Sequence, residues 1–71
     1  MSMAKLVRIL LVERDMTITK LSEKLDTSPQ NISNKLRKDN FSEKELQDIA
    51  NACDATFVGS FILKDTGKEI K

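Results

Sequence analysis

The sequence predicts a mainly α-helical fold, with four short helices followed by a C-terminal β-strand or hairpin. Three observations support this prediction. The 71 residues include only two glycines and one proline, so few positions interrupt a helix. As far as residue 53, apolar residues recur every three or four positions, which is the helical period. After residue 54 they alternate instead, which is the period of a strand.

The length allows one domain, spanning residues 1–71, with a helical core at about 3–53 and a strand or hairpin at about 55–70. The longest apolar run, residues 9–12, is far too short to cross a membrane. No secretory signal pattern follows the first residues. We therefore expect a cytoplasmic protein without a membrane partner.

The composition also excludes several kinds of chemistry. The chain has no histidine, which excludes a histidine-based catalytic triad and histidine metal ligands. Its one cysteine excludes an internal disulfide and a thiolate zinc cluster. We therefore expect no enzyme activity, no metal and no cofactor, and the pattern gives no sign of a small-molecule effector.

Residues 3–14 form the first predicted helix, and it carries two apolar stripes about 100° apart. The stripes contain Leu6, Ile9 and Leu10 on one side and Met3, Val7 and Leu11 on the other. Two stripes indicate that other elements cover this helix from two directions.

The second and third helices lie close together in the sequence. Thr17 is a suitable N-cap for a helix over 18–25, and Ser28 followed by Pro29 begins a helix over 29–37. Asp26 lies at the turn between them, where a left-handed backbone is expected. The predicted inward positions are Leu21, Leu25, Ile32 and Leu36, with the small Ser22 at the closest approach.

Ser42 and Glu45 have the spacing of a capping box and begin a fourth helix. Its buried face is predicted at Leu46, Ile49, Ala50 and Cys53. One face of the following strand then carries Phe57, Gly59, Phe61 and Leu63, and the other carries Val58, Ser60 and Ile62. We expect the phenylalanines in the core rather than as platforms for stacking bases.

Residues 18–36, with two short helices joined by a tight turn, resemble the helix-turn-helix of the Cro/phage-repressor (XRE-like) type. The resemblance covers about residues 3–53. It implies a four-helix repressor-like domain that binds double-stranded DNA as a transcriptional regulator, with base-reading positions at Pro29, Gln30 and Asn34. Ile18 stands where members often carry glutamine, and the strand after residue 54 replaces the usual fifth helix.

The helical period independently places a polar row on the third helix. Gln30 and Asn34 lie about 160° and 200° from Ile32, opposite the core direction. Asn31 and Arg37 flank them. Amides can pair bidentately with adenine edges and a guanidinium with guanine, so these four residues are predicted to read bases. The structural alternative is an ordinary solvated helix face.

Other polar residues around these helices are candidates for phosphate contacts. They are Thr17, Ser28, Lys35, Lys38, Asn40 and Lys44. Ser28 is first of all a cap, and the lysines could equally be solvated. Charge supports the assignment weakly, because residues 1–40 carry +3 and residues 41–71 carry −2.

Useful affinity for DNA normally requires two half-sites, so we expect a homodimer. Val58, Ser60 and Ile62 on the second face of the strand are the predicted interface; the alternative is an intramolecular hairpin of 56–63 with 68–70. A second function also stays open. The chain could be a repressor-like protein-interaction module (an adaptor, antirepressor or antitoxin) that does not bind DNA.

Overall fold

Four helices are followed by a small antiparallel sheet in the computed structural model, which describes residues 2–70. The mainly helical class with a C-terminal β segment is therefore confirmed, and only the outermost residue at each end of the predicted domain lies outside the described part. The elements are α1 Met3–Glu13, α2 Ile18–Lys24, α3 Pro29–Lys38, α4 Glu43–Ala52, β1 Ala55–Phe57, β2 Phe61–Leu63 and β3 Glu69–Ile70.

Each helix begins at a hydroxyl side chain that accepts a hydrogen bond from a backbone N–H three residues later. The caps are Ser2, Thr17, Ser28 and Ser42. At α4 the predicted capping box is complete, because the Glu45 carboxylate in turn accepts the Ser42 N–H at 2.8 Å. These bonds satisfy N–H groups that a helix leaves unpaired, and they set the first residue of each helix.

An aspartate in the left-handed conformation follows or closes each of the four helices. These residues are Asp15, Asp26, Asp39 and Asp54, with φ between 53° and 57°. The prediction for Asp26 is confirmed. Asp39 also contacts α1, since its Oδ1 accepts the Ala4 N–H at 2.7 Å. This bond holds the start of α1 against the end of α3.

The core includes residues from all four helices and from the sheet. Leu21 of α2 and Phe61 of β2 are fully buried. Both stripes of α1 are covered as predicted: Val7 and Leu11 are buried on one, and Leu6 and Leu10 on the other. The covering elements include α3 and β3, both of which contact α1.

The continuous strand predicted over 57–63 is wrong, because the chain reverses at residues 58–60. Gly59 has φ +89°, a conformation that residues with a Cβ rarely adopt. The Val58 N–H donates to the Ser60 carbonyl at 2.9 Å, and Phe57 pairs with Phe61 across the turn. β2 then pairs with β3, so the returning segment joins the sheet within its own chain.

Arg14 connects the end of α1 to two distant parts of the chain. Its Nε donates to the Cys53 carbonyl at 2.9 Å, and its guanidinium donates to both carboxylate oxygens of Asp65 at 2.8 and 3.1 Å. The hydrogen bonds from Arg14 hold the pKa of Asp65 below its ordinary value. Next to this contact, Lys68 pairs with Glu13 at 2.6 Å. Together these bonds fasten the β2–β3 turn to α1.

Cys53 is buried at the end of α4, as its spacing from Ile49 and Ala50 predicts, and burial raises the pKa of its thiol to about 11. An unfolded thiol ionises near pH 8.5, so the folded state retains a proton that the unfolded state releases. Between these pH values we expect the free energy of unfolding to fall as pH rises. The midpoints of urea unfolding at pH 8 and pH 10 measure this fall in stability. The fall should be smaller in Cys53→Ala than in wild type.

The same burial should protect the thiol from a disulfide reagent at pH 8 until urea is added. Reaction in the absence of urea at the rate of an unstructured cysteine peptide would contradict the packing of Cys53.

Candidate nucleic-acid interface

A four-residue connection, residues 25–28, joins α2 to α3 and fixes the direction of α3. Asp26 turns the chain with φ 57°, and the Thr27 N–H then donates to the Ser22 carbonyl at 2.9 Å. Ser22 is buried as predicted, and its hydroxyl donates to the Thr19 carbonyl at 2.7 Å. α2 and α3 pack against each other, and the side of α3 that faces away from the buried Ile32 and Leu36 is exposed.

The uncovered side of α3 carries polar side chains that are free to bind. Gln30, Arg37 and Lys38 are exposed, and within residues 2–70 their side chains form no hydrogen bond or ion pair. Asn34 is half-buried and is likewise without a side-chain partner in this part of the chain. We call these four residues the outer row of α3. It contains three of the four predicted base-reading residues and one predicted phosphate contact.

Two other predicted residues lie on the α4 side of α3, and each already has a partner within the chain. The Asn31 amide donates to Thr27 Oγ1 at 2.8 Å, and Lys35 forms an ion pair with Glu45. This pair, together with the Ser42 N–H, holds the pKa of Glu45 below its ordinary value. Asn31 and Lys35 also line a cleft of about 150 Å³ with Phe41. Each keeps other donors, but its present partner restricts the orientation of its side chain.

The remaining predicted phosphate contacts lie around the ends of the helices. Thr17 and Ser28 are caps, and each accepts one N–H bond through its hydroxyl oxygen and keeps a hydroxyl hydrogen to donate. Asn40 is exposed in the loop after α3. Lys44 is 83% exposed and pairs with Asp48 at 3.0 Å. An exposed pair of this kind costs little to break, so Lys44 is available to a phosphate.

The three residues predicted for the dimer interface do not form one continuous face. Val58 lies in the β1–β2 turn and is 69% exposed. Ser60 is buried, and its hydroxyl donates to Glu69 Oε2 of the same chain at 2.6 Å. Ile62 is half-buried on the outer side of the sheet, where its register partners are Thr56 and Glu69. The turn at Gly59 separates these three residues, which an unbroken strand would have placed on one face.

Cations without an acidic partner are present on α3 and also outside it. Within residues 2–70 the unpaired lysines and arginines are Lys5, Arg8, Lys24, Arg37, Lys38 and Lys64. The sequence prediction did not include Lys5 or Arg8. Their spacing of three on a predicted helix was visible in the sequence. The contact between the start of α1, which carries them, and the end of α3 depends on how the helices pack.

Comparisons with protein-family models, curated proteins and solved structures found no match to this chain. Within the described residues, every helix is too short or too polar to span a bilayer. The side chains and contacts described above are therefore the basis of the function that we propose.

Proposed function

We propose that this protein is a sequence-specific DNA-binding regulator of the repressor-like helix-turn-helix kind, acting in the cytoplasm as a homodimer. The observation that carries the proposal is the outer row of α3. It concentrates two amides, a guanidinium and an ammonium that have no partner within residues 2–70, whereas neighbouring polar residues such as Asn31 and Lys35 have one.

The outer row has the chemistry needed to read a major groove. A helix of ten residues is about 15 Å long, and the groove is about 12 Å wide and accepts a helix. Gln30 and Asn34 can each pair bidentately with adenine, and the Arg37 guanidinium can pair with guanine or with a phosphate beside it. Lys38 and the hydroxyls of Thr17 and Ser28 would then donate to phosphates, which position the helix without specifying sequence.

The size of the domain favours a dimer. Half-sites on one face of a duplex are about 34 Å apart, whereas the domain measures 30 × 24 × 19 Å. One copy therefore reads one half-site. Val58 and Ile62, with the edges of the small sheet, are the surface that we propose for pairing. Sedimentation at tens of micromolar without DNA tests this, and a monomer at that concentration would count against the dimer.

Arg37→Ala and Lys38→Ala should each weaken binding to all sequences and reduce the slope of log affinity against log salt by about one unit, if each residue contacts one phosphate. The measurement is fluorescence anisotropy with a labelled duplex of mixed sequence. Lys64→Ala, which removes an equally unpaired cation from the β2–β3 turn, is the matched control. An unchanged slope in both α3 variants would place the phosphate contacts elsewhere.

A protein-interaction module is the second candidate, and the overall charge of +1 favours it because most DNA-binding surfaces are strongly basic. The same anisotropy titration separates the two functions. A wild-type chain that is folded but has no affinity for DNA, even at low salt, would support the interaction module.

A further inference from the structure

We infer that the DNA-binding surface continues beyond α3 onto the exposed side of α1, where Lys5 and Arg8 bind phosphates of the same duplex. This inference depends on the proposed function and extends it. It adds two contacts outside the helix-turn-helix segment, so that α1 takes part in binding as well as in the core.

The first support is the distribution of ion pairs. Five described cations have an acidic partner within 4.0 Å: Arg14, Lys20, Lys35, Lys44 and Lys68. Four of the six that do not have one lie on α1 and α3, namely Lys5, Arg8, Arg37 and Lys38. Most of the unpaired positive charge therefore lies on two helices whose ends meet at Asp39, and it exceeds the single negative charge of that residue, which suits a polyanion.

The second support is the contact between the two helices. The bond from the Ala4 N–H to Asp39 Oδ1, at 2.7 Å, joins the residue before Lys5 to the residue after Lys38. Arg8 is exposed one helical turn beyond Lys5, on the same side of α1. With α3 in the groove, the phosphates beside its C-terminal end face this junction.

The third support comes from helix electrostatics. Lys5 is the third residue of α1, whose first turn holds no acid, and a cation there opposes the helix dipole. In contrast, Arg37 and Lys38 lie in the last turn of α3, where the dipole favours them. Lys5 therefore does not stabilise α1 through the dipole, and its exposed ammonium is available to a phosphate.

The test compares three double variants, each of which removes two positive charges, by salt titration on a labelled mixed-sequence duplex. They are Lys5→Ala with Arg8→Ala, Arg37→Ala with Lys38→Ala, and the control Lys24→Ala with Lys64→Ala. We expect the α1 and α3 variants each to lose about two units of salt slope, and the control less than half a unit. The melting temperature of the α1 variant should stay at or above that of wild type.

Three outcomes would overturn the inference, and they can be distinguished. If the α3 variant loses slope but the α1 variant behaves like the control, α1 does not contact DNA while the proposed function stands. If the wild-type chain shows no salt-dependent binding to the duplex, the proposed function fails and the inference fails with it. A loss of slope accompanied by a fall in melting temperature would assign the residues to folding instead.

Discussion

Replacing Phe61 by alanine should destabilise the protein by about 3–5 kcal/mol, the largest effect that we expect from a single substitution. Phe61 is fully buried, and its ring lies 5.2 Å from that of Phe57. The substitution removes apolar contact area and leaves a cavity between the sheet and the helices. A domain of this size is stable by only about 4–11 kcal/mol, so a large fraction of the molecules could unfold. Urea denaturation followed by circular dichroism measures the change.

Thr56→Ala is the matched control, because Thr56 is exposed on the neighbouring strand and its truncation should change stability by less than about 0.5 kcal/mol. If Phe61→Ala unfolds at the wild-type urea concentration, the sheet does not contribute to the core as described. The same result would mean that the helices fold without the hairpin.

The second large effect concerns sequence discrimination. Gln30→Ala and Asn34→Ala should each remove about 1–3 kcal/mol of preference at one or two base pairs, because each truncation deletes an amide able to bind an adenine edge. The preferred site must first be selected from a random DNA pool. Affinities for that site and for its single-base variants then give the loss at each position. Both variants should melt like wild type, since neither side chain belongs to the buried core.

Gln47→Ala and Asn51→Ala supply matched controls, since they remove the same amides from exposed positions on α4. They should leave the base preference unchanged. Should Gln30→Ala and Asn34→Ala also retain the full wild-type preference, the reading face would not be the outer row of α3.

The helices were predictable because their signals are local. Each predicted N-cap, at residues 17, 28 and 42, acts within four residues of its own position, so no tertiary information was needed. The turn at Gly59 was not predicted, for a physical reason. Phe57 and Phe61 pair across the β1–β2 hairpin, so they share one face there just as they would in an unbroken strand. What distinguishes the two arrangements is the turn itself, with its positive φ at Gly59 and the buried Ser60, and the spacing of the phenylalanines does not indicate it.

The candidate site was predictable only where it depends on one helix. The period of α3 places Gln30, Asn34 and Arg37 opposite the core without knowledge of other elements. The ion pair of Lys35 with Glu45 requires the position of α4, and no spacing in the sequence indicates it. Likewise, Arg14 is 51 residues from Asp65, and only the packing of the β2–β3 hairpin against α1 brings them together.

The attachment of the β2–β3 hairpin to α1 has a consequence for the synthesis of the protein. Arg14 and Glu13 lie in or next to the first helix of this fold to be synthesised, but their partners Asp65 and Lys68 are among the last residues of the fold to be synthesised. At about 5–20 residues per second, α1 waits roughly 3–11 s for β3, with one apolar stripe open to solvent. The helices can form early, but the domain closes only after translation has passed residue 70. For those seconds the nascent chain is exposed to chaperones, proteases and aggregation.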